Sequence, residues 1–179
     1  GGQGMLIHWT HCDSVLGQAL VAATERGICA AILGKDSKQM LAELQTEFPN
    51  AQLDYVADDH DFIRDKIHAV AESLKGHANS AAIELIGTAF QREVWQLLMA
   101  IGPGEQRSYG DIARDLGKPK AFRAVGMAVG RNPVSIIVPC HRIMGQQGTL
   151  TGYSGGLHRK VSLLRHEGFR IEGQQVLWT

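Results

Sequence analysis

Hydrophobic and polar positions near the start of the chain fall into three short runs that predict β-strands. The runs MLIHWTHC, QALVAAT and ICAAIL are separated by the turn-forming segments DSVLG and ERG. Apolar runs joined by such turns are typical of an antiparallel meander. Two helices are predicted next, one between a capping Asp36 and Pro49 and one over about 62–76. The segment AAIELI, residues 81–86, then predicts one more short strand.

The pattern becomes helical after Gly87, where we place a domain boundary. Thr88 can cap a helix, and Ser108 can cap a shorter one that runs through Leu116. Another short helix is predicted over about 120–130, and these two short helices form a helix-turn-helix pattern. A further helix and a final hairpin, FRIEGQQVLW, complete a winged-helix-like order of elements.

The elements together predict an α+β protein with two domains, residues 5–87 and residues 88–179. The 179 residues are 44% hydrophobic, which suits a globular protein. No apolar stretch approaches the roughly 18 residues that a membrane span needs, and the start of the chain lacks the features of a signal peptide. We therefore expect a soluble, cytoplasmic protein. Three cysteines, an odd number, favour reduced thiols over disulfides.

Charge divides unevenly between the two predicted domains. The formal net charge is zero, but residues up to Gly87 hold 6 Lys and Arg against 12 Asp and Glu, and the rest hold 12 against 6. No acidic residue occurs between Asp115 and Glu167. Such a field is typical of a surface that binds a polyanion, with a basic surface that merely aids solubility as the alternative.

The second helix of the helix-turn-helix pattern is unusually thin. Its sequence, KAFRAVGMAVG, is rich in Ala and Gly, although each Gly costs about 0.8–1.0 kcal/mol of helix propensity relative to Ala. A thin helix allows close approach either of another helix or of a nucleic-acid backbone. Arg123 is the long side chain in its middle.

A single cysteine lies in the basic, acid-free stretch, within the segment SIIVPCHRIM. The apolar run predicts a strand that ends at Pro139, directly before Cys140, His141 and Arg142. A free thiol has a pKa of about 8.5, so neighbouring cations or a helix N-terminus are needed to lower it. Consecutive side chains on an extended backbone point apart, so His141 can act on the sulfur only through a turn or a bridging water. Glu167 is the better of the two acids that could orient His141.

The residue types alone allow several functions for the cysteines. A buried, inert Cys140 and a thiol protease are both compatible with a lone thiol. His8, His11, Cys12 and Cys29 are zinc-ligand types, but their spacing favours partly buried strand residues. A thiolate beside a nucleic-acid-binding helix instead suggests attack of sulfur on an alkyl carbon, in a reaction that each protein performs once.

The stretch from Thr88 to Gly168 contains several motifs in order, namely GTAFQREVW, SYGDIARDLGKPKAFRAVG, GRNPVSIIVPCHRI and TGYSGGLHRKVSLLRHEG. Together they closely resemble the O6-alkylguanine-DNA alkyltransferases, or methylated-DNA-protein-cysteine methyltransferases. DSVLG and ERGIC extend the resemblance over nearly the whole chain, and the N-terminal part is especially similar to the alkyltransferase half of bacterial adaptive-response proteins. The resemblance implies a ribonuclease-H-like N-terminal domain with a small antiparallel sheet, and it allows for origin in a longer chain.

The resemblance implies repair of DNA by direct damage reversal. In that reaction a methyl or other alkyl group moves irreversibly from O6 of guanine, or from O4 of thymine, to Cys140, one group per protein. The damaged base is flipped out of double-stranded DNA from the minor groove. We expect a monomer without cofactor and without membrane association. Some relatives carry a structural zinc, but Cys12, Thr24 and Cys29 stand at the matching positions, so we predict no metal.

The resemblance also assigns roles to individual residues. It makes His141, a bound water and Glu167 the relay that generates the thiolate, and it makes Asn132 the link between the helix-turn-helix and the cysteine loop. Tyr109 resembles the hydroxyl that assists base rotation and protonates the departing guanine at N3. The implied DNA contacts are Arg123, which fills the gap in the stack, and Lys120, Ala121, Ala124 and Arg131. The implied substrate pocket consists of Tyr109, Ile143, Tyr153, Ser154 and Gly155.

Two other functions stay open from the residues alone. A helix-turn-helix regulator or damage sensor would bind DNA with an incidental thiol. A thiol hydrolase would turn over repeatedly on a small ester or peptide. Arg142 has no chemical role in any of the three hypotheses, and we interpret it as a charge that helps build the basic field or the loop of Cys140.

Overall fold

The computed structural model describes residues 4–77, 80–145, 148–150, 153 and 156–177. The chain divides into two compact units. The first comprises Gly1–Leu74, Asn79–Gly87 and Pro133–Ile137, and the second comprises Lys75–Ala78, Thr88–Asn132 and Val138–Thr179. Each unit contains the elements that the hydrophobic pattern predicts for that part of the chain, with the differences given below.

A four-stranded sheet forms the centre of the first unit. Strands β1 (Leu6–Ser14), β2 (Gly17–Thr24) and β3 (Gly27–Gly34) pair as the predicted antiparallel meander. A fourth strand, β4 (Gln52–Tyr55), was not predicted and pairs parallel with β1. The strand order is therefore β3-β2-β1-β4.

Helices α1 (Ser37–Glu47) and α2 (Asp61–Leu74) accompany this sheet. Asp36 caps α1 as predicted, since its carboxylate accepts the backbone N–H of Lys38 at 2.9 Å. The helix α1 packs on the sheet through a cluster of buried side chains. That cluster contains Ile7, Leu20, Ala22, Cys29, Ala30, Met40, Leu44 and Phe48.

The strand predicted over residues 81–86 is absent from the described part of the chain as a regular element. Only a bridge between Ile28 and Ile83 forms, with hydrogen bonds from Ile28 N–H to the Ala82 carbonyl and from Glu84 N–H to the Ile28 carbonyl, each 2.9 Å. Gly27 has φ 149°, and a Cβ there would lie inside contact distance of the Ala82 carbonyl. Glycine therefore permits this close approach.

Residues Pro133–Ile137 belong to the first unit, although the chain continues from them to Cys140 in the second unit. The N–H of Ala31 donates to the Pro133 carbonyl at 2.9 Å, and Val134 forms a bridge with Ala31. The predicted strand is wrong here, because the chain turns and Ile136 takes φ 81°. A left-handed conformation at a β-branched residue is strained by about 1–3 kcal/mol, so the surrounding packing holds this turn.

The second unit is mainly helical. Its helices are α3 (Ala89–Met99), α4 (Tyr109–Asp115), α5 (Phe122–Gly130) and α6 (Leu157–His166). Two short strands, β5 (Arg107–Ser108) and β6 (Ile143–Met144), pair parallel, and β7 (Arg170–Glu172) and β8 (Gln175–Leu177) form the predicted final hairpin. Helices α4 and α5 form the predicted helix-turn-helix pattern.

Capping residues begin the first two helices of this unit at the predicted positions. Thr88 and Gln91 form a reciprocal capping box at α3, and Ser108 and Asp111 form one at α4. Helix α5 is fixed to α3 by Trp95, which is 1% exposed and donates its indole N–H to the Ala128 carbonyl at 2.8 Å. In the described ranges, no helix is long and apolar enough to cross a membrane.

Candidate active site and nucleic-acid interface

Cys140 lies in a short 3-10 helix, Cys140–Arg142, that begins directly after Pro139. The N–H of Cys140 donates to the Val138 carbonyl at 2.7 Å, and the N–H of Arg142 donates to the Pro139 carbonyl at 3.0 Å. Cys140 is 4% exposed and His141 is fully buried. The sequence predicted that His141 acts on the thiol through a turn or a bridging water, and the 3-10 helix places a turn at Cys140.

The buried carboxylate of Glu167 binds the imidazole of His141. Nε2 of His141 lies 2.8 Å from Oε1 of Glu167, the residue that directly follows α6. Burial lowers the pKa of His141, against the opposing effect of Glu167. Burial also acts to raise the pKa of Glu167, but hydrogen bonds from His141 and Arg142 outweigh it and hold that pKa below its usual value. The pair is therefore a neutral imidazole and an ionised carboxylate.

These protonation states fix the tautomer of His141. A carboxylate only accepts hydrogen bonds, so we assign the imidazole proton to Nε2, where it is donated to Glu167. The other ring nitrogen, Nδ1, then carries a lone pair. It is buried and has no hydrogen-bond partner among the described residues. His141 can thus accept a proton at Nδ1 while Glu167 holds the ring from behind.

Arg142 is a site residue that the sequence did not assign. Its Nε donates to both carboxylate oxygens of Glu167 at 2.9 Å, and its Nη2 donates to Oε1 at 2.6 Å. Its Nη1 donates to the Ile101 carbonyl. The guanidinium therefore fixes the carboxylate that orients His141. The position of Arg142 directly after His141 was the one sequence feature that indicated a place in the site. Its partner, Glu167, lies 25 residues away along the chain.

Asn132 connects the end of the helix-turn-helix with the cysteine segment. It is 5% exposed, and its Nδ2 donates to the Val138 carbonyl at 2.9 Å. Burial raises the pKa of the Cys140 thiol above its usual value, while a hydrogen bond from Asn132 and the charge of Lys160 act in the opposite direction. The thiol is therefore protonated at neutral pH, and a base is needed to generate the thiolate.

Lys160 is a second residue that the sequence did not assign. It is 1% exposed, and its Nζ donates to the Ile143 carbonyl at 2.6 Å. Burial lowers the pKa of Lys160 to about 8. The sequence feature that could have indicated burial of Lys160 is its helical spacing from Leu157 and Leu164, which places it on the apolar face of α6. A charge at this position stabilises the nearby thiolate.

The other two thiols lie in less reactive surroundings. Burial raises the pKa of Cys29 to about 12, and burial together with Asp58 raises the pKa of Cys12. His8 and His11 are partly buried on β1, and the His8 ring packs edge-on against Phe62. No group of three or more metal-ligating side chains occurs in the described portion of the chain.

The residues expected to contact DNA lie on helix α5 and at its two ends. Four of the five, Lys120, Arg123, Ala124 and Arg131, are exposed, and Ala121 is half-buried. The ring of Tyr109, on α4, lies 3.8 Å from the point that a Cβ on Gly126 would occupy. Tyr109 thus lies against the same thin helix that carries Arg123.

A groove of about 780 Å³ lies beside Tyr109 and Ser108. Phe122 of α5, Pro119 and Met144 also line it. The groove is therefore bounded by the helix-turn-helix pattern on one side and by β6 on the other.

The expected substrate pocket is only partly described. Ile143 is buried, and Tyr153 is half-buried. The carbonyl of Ile143 already accepts a hydrogen bond from the ammonium of Lys160 but keeps a second lone pair. Ser154 and Gly155 lie outside the described residues.

Both parts of the chain match known protein families. Residues 7–85 match the ribonuclease-like domain of 6-O-methylguanine DNA methyltransferase, and residues 89–169 match its DNA binding domain. A methylated-DNA--protein-cysteine methyltransferase of Methanosarcina acetivorans is 39% identical over 158 residues, which are 87% of this chain and 95% of that protein.

A longer relative and a solved structure agree with these matches. The bifunctional transcriptional activator/DNA repair enzyme Ada of Escherichia coli is 42% identical over 170 residues, which cover 93% of this chain but 47% of that protein. The chain thus spans about half the length of this relative. The structure of Mycobacterium tuberculosis OGT in complex with DNA has a TM-score of 0.72 at 34% identity, and the match covers 89% of this chain and 92% of that chain. The chain therefore belongs to the 6-O-methylguanine DNA methyltransferase family.

Proposed function

We propose that the protein repairs DNA by transferring a methyl or other alkyl group from O6 of guanine to the sulfur of Cys140. The transfer is irreversible and happens once per protein molecule. O4 of thymine is a second substrate position, and double-stranded DNA is the partner of a monomeric protein in the cytoplasm. The observation that carries the proposal is the buried Cys140 beside a neutral His141 that Glu167 orients.

The reaction begins with removal of the thiol proton. A water bridges the Cys140 thiol and Nδ1 of His141, the buried nitrogen that has no partner among the described residues. The proton moves through this water to Nδ1, and the resulting imidazolium is stabilised by the ionised Glu167. Asn132 and the Lys160 charge stabilise the thiolate that remains. A buried thiol whose pKa is raised is thus ionised only when the relay acts.

The thiolate then attacks the alkyl carbon. A C–S bond forms, the C–O6 bond breaks, and the electron pair of the broken bond leaves with the guanine. Tyr109 donates a proton to N3 of the departing base. Exchange with solvent then returns a proton to Tyr109, removes the proton from the His141 imidazolium and moves the proton of the base from N3 to N1. The balanced result is guanine in DNA and an S-alkyl cysteine. A thioether is stable in water, so one protein acts on one lesion.

Access to the lesion requires rotation of the nucleotide out of the duplex. Flipping costs a few kcal/mol, and phosphate contacts from the exposed cations around α5 offset part of that cost. Arg123 enters the stack from the minor groove and occupies the gap, and the small residues of α5 let the helix approach the backbone. Affinity for DNA should therefore depend strongly on salt and weakly on sequence.

Mass spectrometry of the protein after exposure to duplex DNA with one O6-methylguanine tests the proposal. We expect one added methyl group, on the peptide that contains Cys140, and a plateau at one equivalent per protein. Cys140→Ala should bind the same duplex and gain no methyl group. An unmodified Cys140, or a methyl group on Cys12 or Cys29, would rule the proposal out. Repeated turnover on a small ester would instead identify a thiol hydrolase.

A further inference from the structure

Helix α5 exposes a methionine on the face that carries Arg123. Met127 is 65% exposed, although methionine is among the residues most often buried in folded proteins. It follows Arg123 by four residues, so the two side chains lie on one face of the helix. A single exposed apolar side chain is common on protein surfaces, so the position of Met127 beside Arg123, rather than its exposure alone, carries the inference.

The rest of that face is free of large side chains. Positions 126 and 130 are glycines that share the face with Arg123 and Met127. Outside the helix itself, a Cβ on Gly130 would meet no atom within 4 Å, and one on Gly126 would meet the Tyr109 ring at 3.8 Å. Arg123 and Met127 are therefore the two large side chains that rise from a flat, thin surface.

The charge around Met127 identifies what covers it. Lys118, Lys120 and Arg131 are all exposed at the two ends of α5, and no acidic residue occurs between Asp115 and Glu167. This field attracts a polyanion. Duplex DNA combines two phosphate backbones with a groove floor of sugar and base edges, and minor-groove proteins frequently insert Phe, Leu, Ile, Met or Pro between its base steps. The minor groove therefore fits both the charge and the apolar side chain.

We propose that Met127 is a specificity-determining residue that contacts the floor of the minor groove beside the lesion. The inference rests on the proposed function, because it takes Arg123 as the residue that fills the gap. Four residues of α-helix span about 6 Å along the axis, and base pairs are stacked at about 3.4 Å. Met127 therefore contacts base pairs within about two steps of the rotated nucleotide.

The chemistry of the groove floor predicts which neighbouring pairs Met127 accepts. A G·C pair exposes the N2 amino group of guanine in the minor groove, whereas an A·T pair exposes only acceptors. The thioether of methionine is a weak acceptor, so its close packing removes water from an N2 amino group without replacing the hydrogen bond. Met127 consequently disfavours G·C pairs at these two steps.

Inosine isolates this effect because it lacks only the N2 amino group of guanine. The test uses duplexes with one O6-methylguanine and either G·C or inosine·C at the pairs one and two steps away, on each side in turn. Single-turnover rates of methyl transfer to Cys140 give the ratio of the inosine rate to the guanine rate. Inosine also weakens pairing, so the ratio for Met127→Ala supplies that baseline. We expect the wild-type ratio to exceed the Met127→Ala ratio about fivefold on one side of the lesion.

Two further variants complete the test. Met99→Ala truncates another exposed methionine of the second unit, 44% exposed on α3, and should keep the wild-type ratio. Met127→Asn, which can accept a hydrogen bond from N2, should bring the ratio below the Met127→Ala value.

Each outcome separates this inference from the function on which it rests. Equal ratios for wild type and Met127→Ala, with normal methyl transfer by both, would overturn the role of Met127 alone. No transfer by the wild-type protein from any of the duplexes would overturn the proposed function, and the role of Met127 with it.

Discussion

The guanidinium of Arg142 donates to both carboxylate oxygens of Glu167, and one of those oxygens also binds Nε2 of His141. A single buried acid thus orients the base and is itself fixed by a cation. The Arg142 and Glu167 side chains are 11% and 1% exposed. Arg142, for which the sequence offered no chemical role, therefore positions the carboxylate behind the imidazole that we propose as the base.

Arg142→Met should destabilise the protein strongly. Removing one partner of a buried ion pair leaves an unpaired charge, which typically costs about 3–5 kcal/mol of unfolding free energy. Urea denaturation at neutral pH measures the change. Arg170→Met is the matched control, because its partner Glu172 and Arg170 itself are 61% and 67% exposed, and its loss should stay below about 1 kcal/mol. Equal losses in the two variants would show that Glu167 does not depend on Arg142.

Glu167→Gln should slow methyl transfer about 100-fold while leaving DNA affinity unchanged. The amide cannot stabilise an imidazolium as a carboxylate does, so His141 becomes a weaker base at Nδ1. The measurement is the single-turnover rate on duplex DNA containing O6-methylguanine, with a binding isotherm at fixed salt. Glu172→Gln, at an exposed position of β7, should transfer at the wild-type rate. A normal rate in Glu167→Gln would remove the relay from the mechanism.

The pH dependence of transfer should follow His141 rather than the thiol. Burial places the pKa of His141 below its usual value of 6.5, and protonation below that pKa occupies Nδ1. We therefore expect a constant rate from pH 8 down to 6.5 and a decline only at lower pH. His166→Gln, at an exposed histidine of α6, should leave the profile unchanged. A rate that instead climbed steadily toward pH 9 would mean that ionisation of the thiol alone controls the reaction.

Lys160→Met should lower the fraction of Cys140 that is thiolate at neutral pH, because the ammonium group favours the thiolate. The rate of iodoacetamide addition to Cys140 at pH 7, where Lys160 is charged, reports this fraction and should fall. Lys118→Met, at an exposed lysine, should leave this rate unchanged. The pKa of Lys160 is itself about 8, so the difference between wild type and Lys160→Met should shrink above that pH.

Elements specified by local signals could be predicted from the sequence. Asp36, Thr88 and Ser108 cap helices where the sequence places them, and the meander forms from its three apolar runs. Strand β4 was missed because QLDY lacks a strong apolar pattern and acquires its partner, β1, only in the folded chain. The strand predicted over residues 81–86 was wrong, because an apolar run does not by itself supply a partner strand.

The site divides in the same way. The grouping of Cys140 with His141 could be predicted because the two residues are adjacent, and the contact between Glu167 and His141 could be predicted because few acids follow Asp115. Arg142 and Lys160 could not, because each is defined by a partner distant in sequence, the Glu167 carboxylate and the Ile143 carbonyl. Long side chains at charged surfaces usually point to solvent, and only tertiary packing turns these two inward.

The hydrogen bond from the Trp95 indole to the Ala128 carbonyl fixes the rotation of α5 about its own axis. Successive residues of a helix are separated by 100°, so a roll of one position would carry Met127 and Arg123 away from the exposed face together. Trp95 is buried under the helix and has no access to a nucleic acid. The buried indole thus limits rotation of α5 about its axis. A substitution at Trp95, which lies away from the proposed DNA surface, can therefore change which side chains face the DNA.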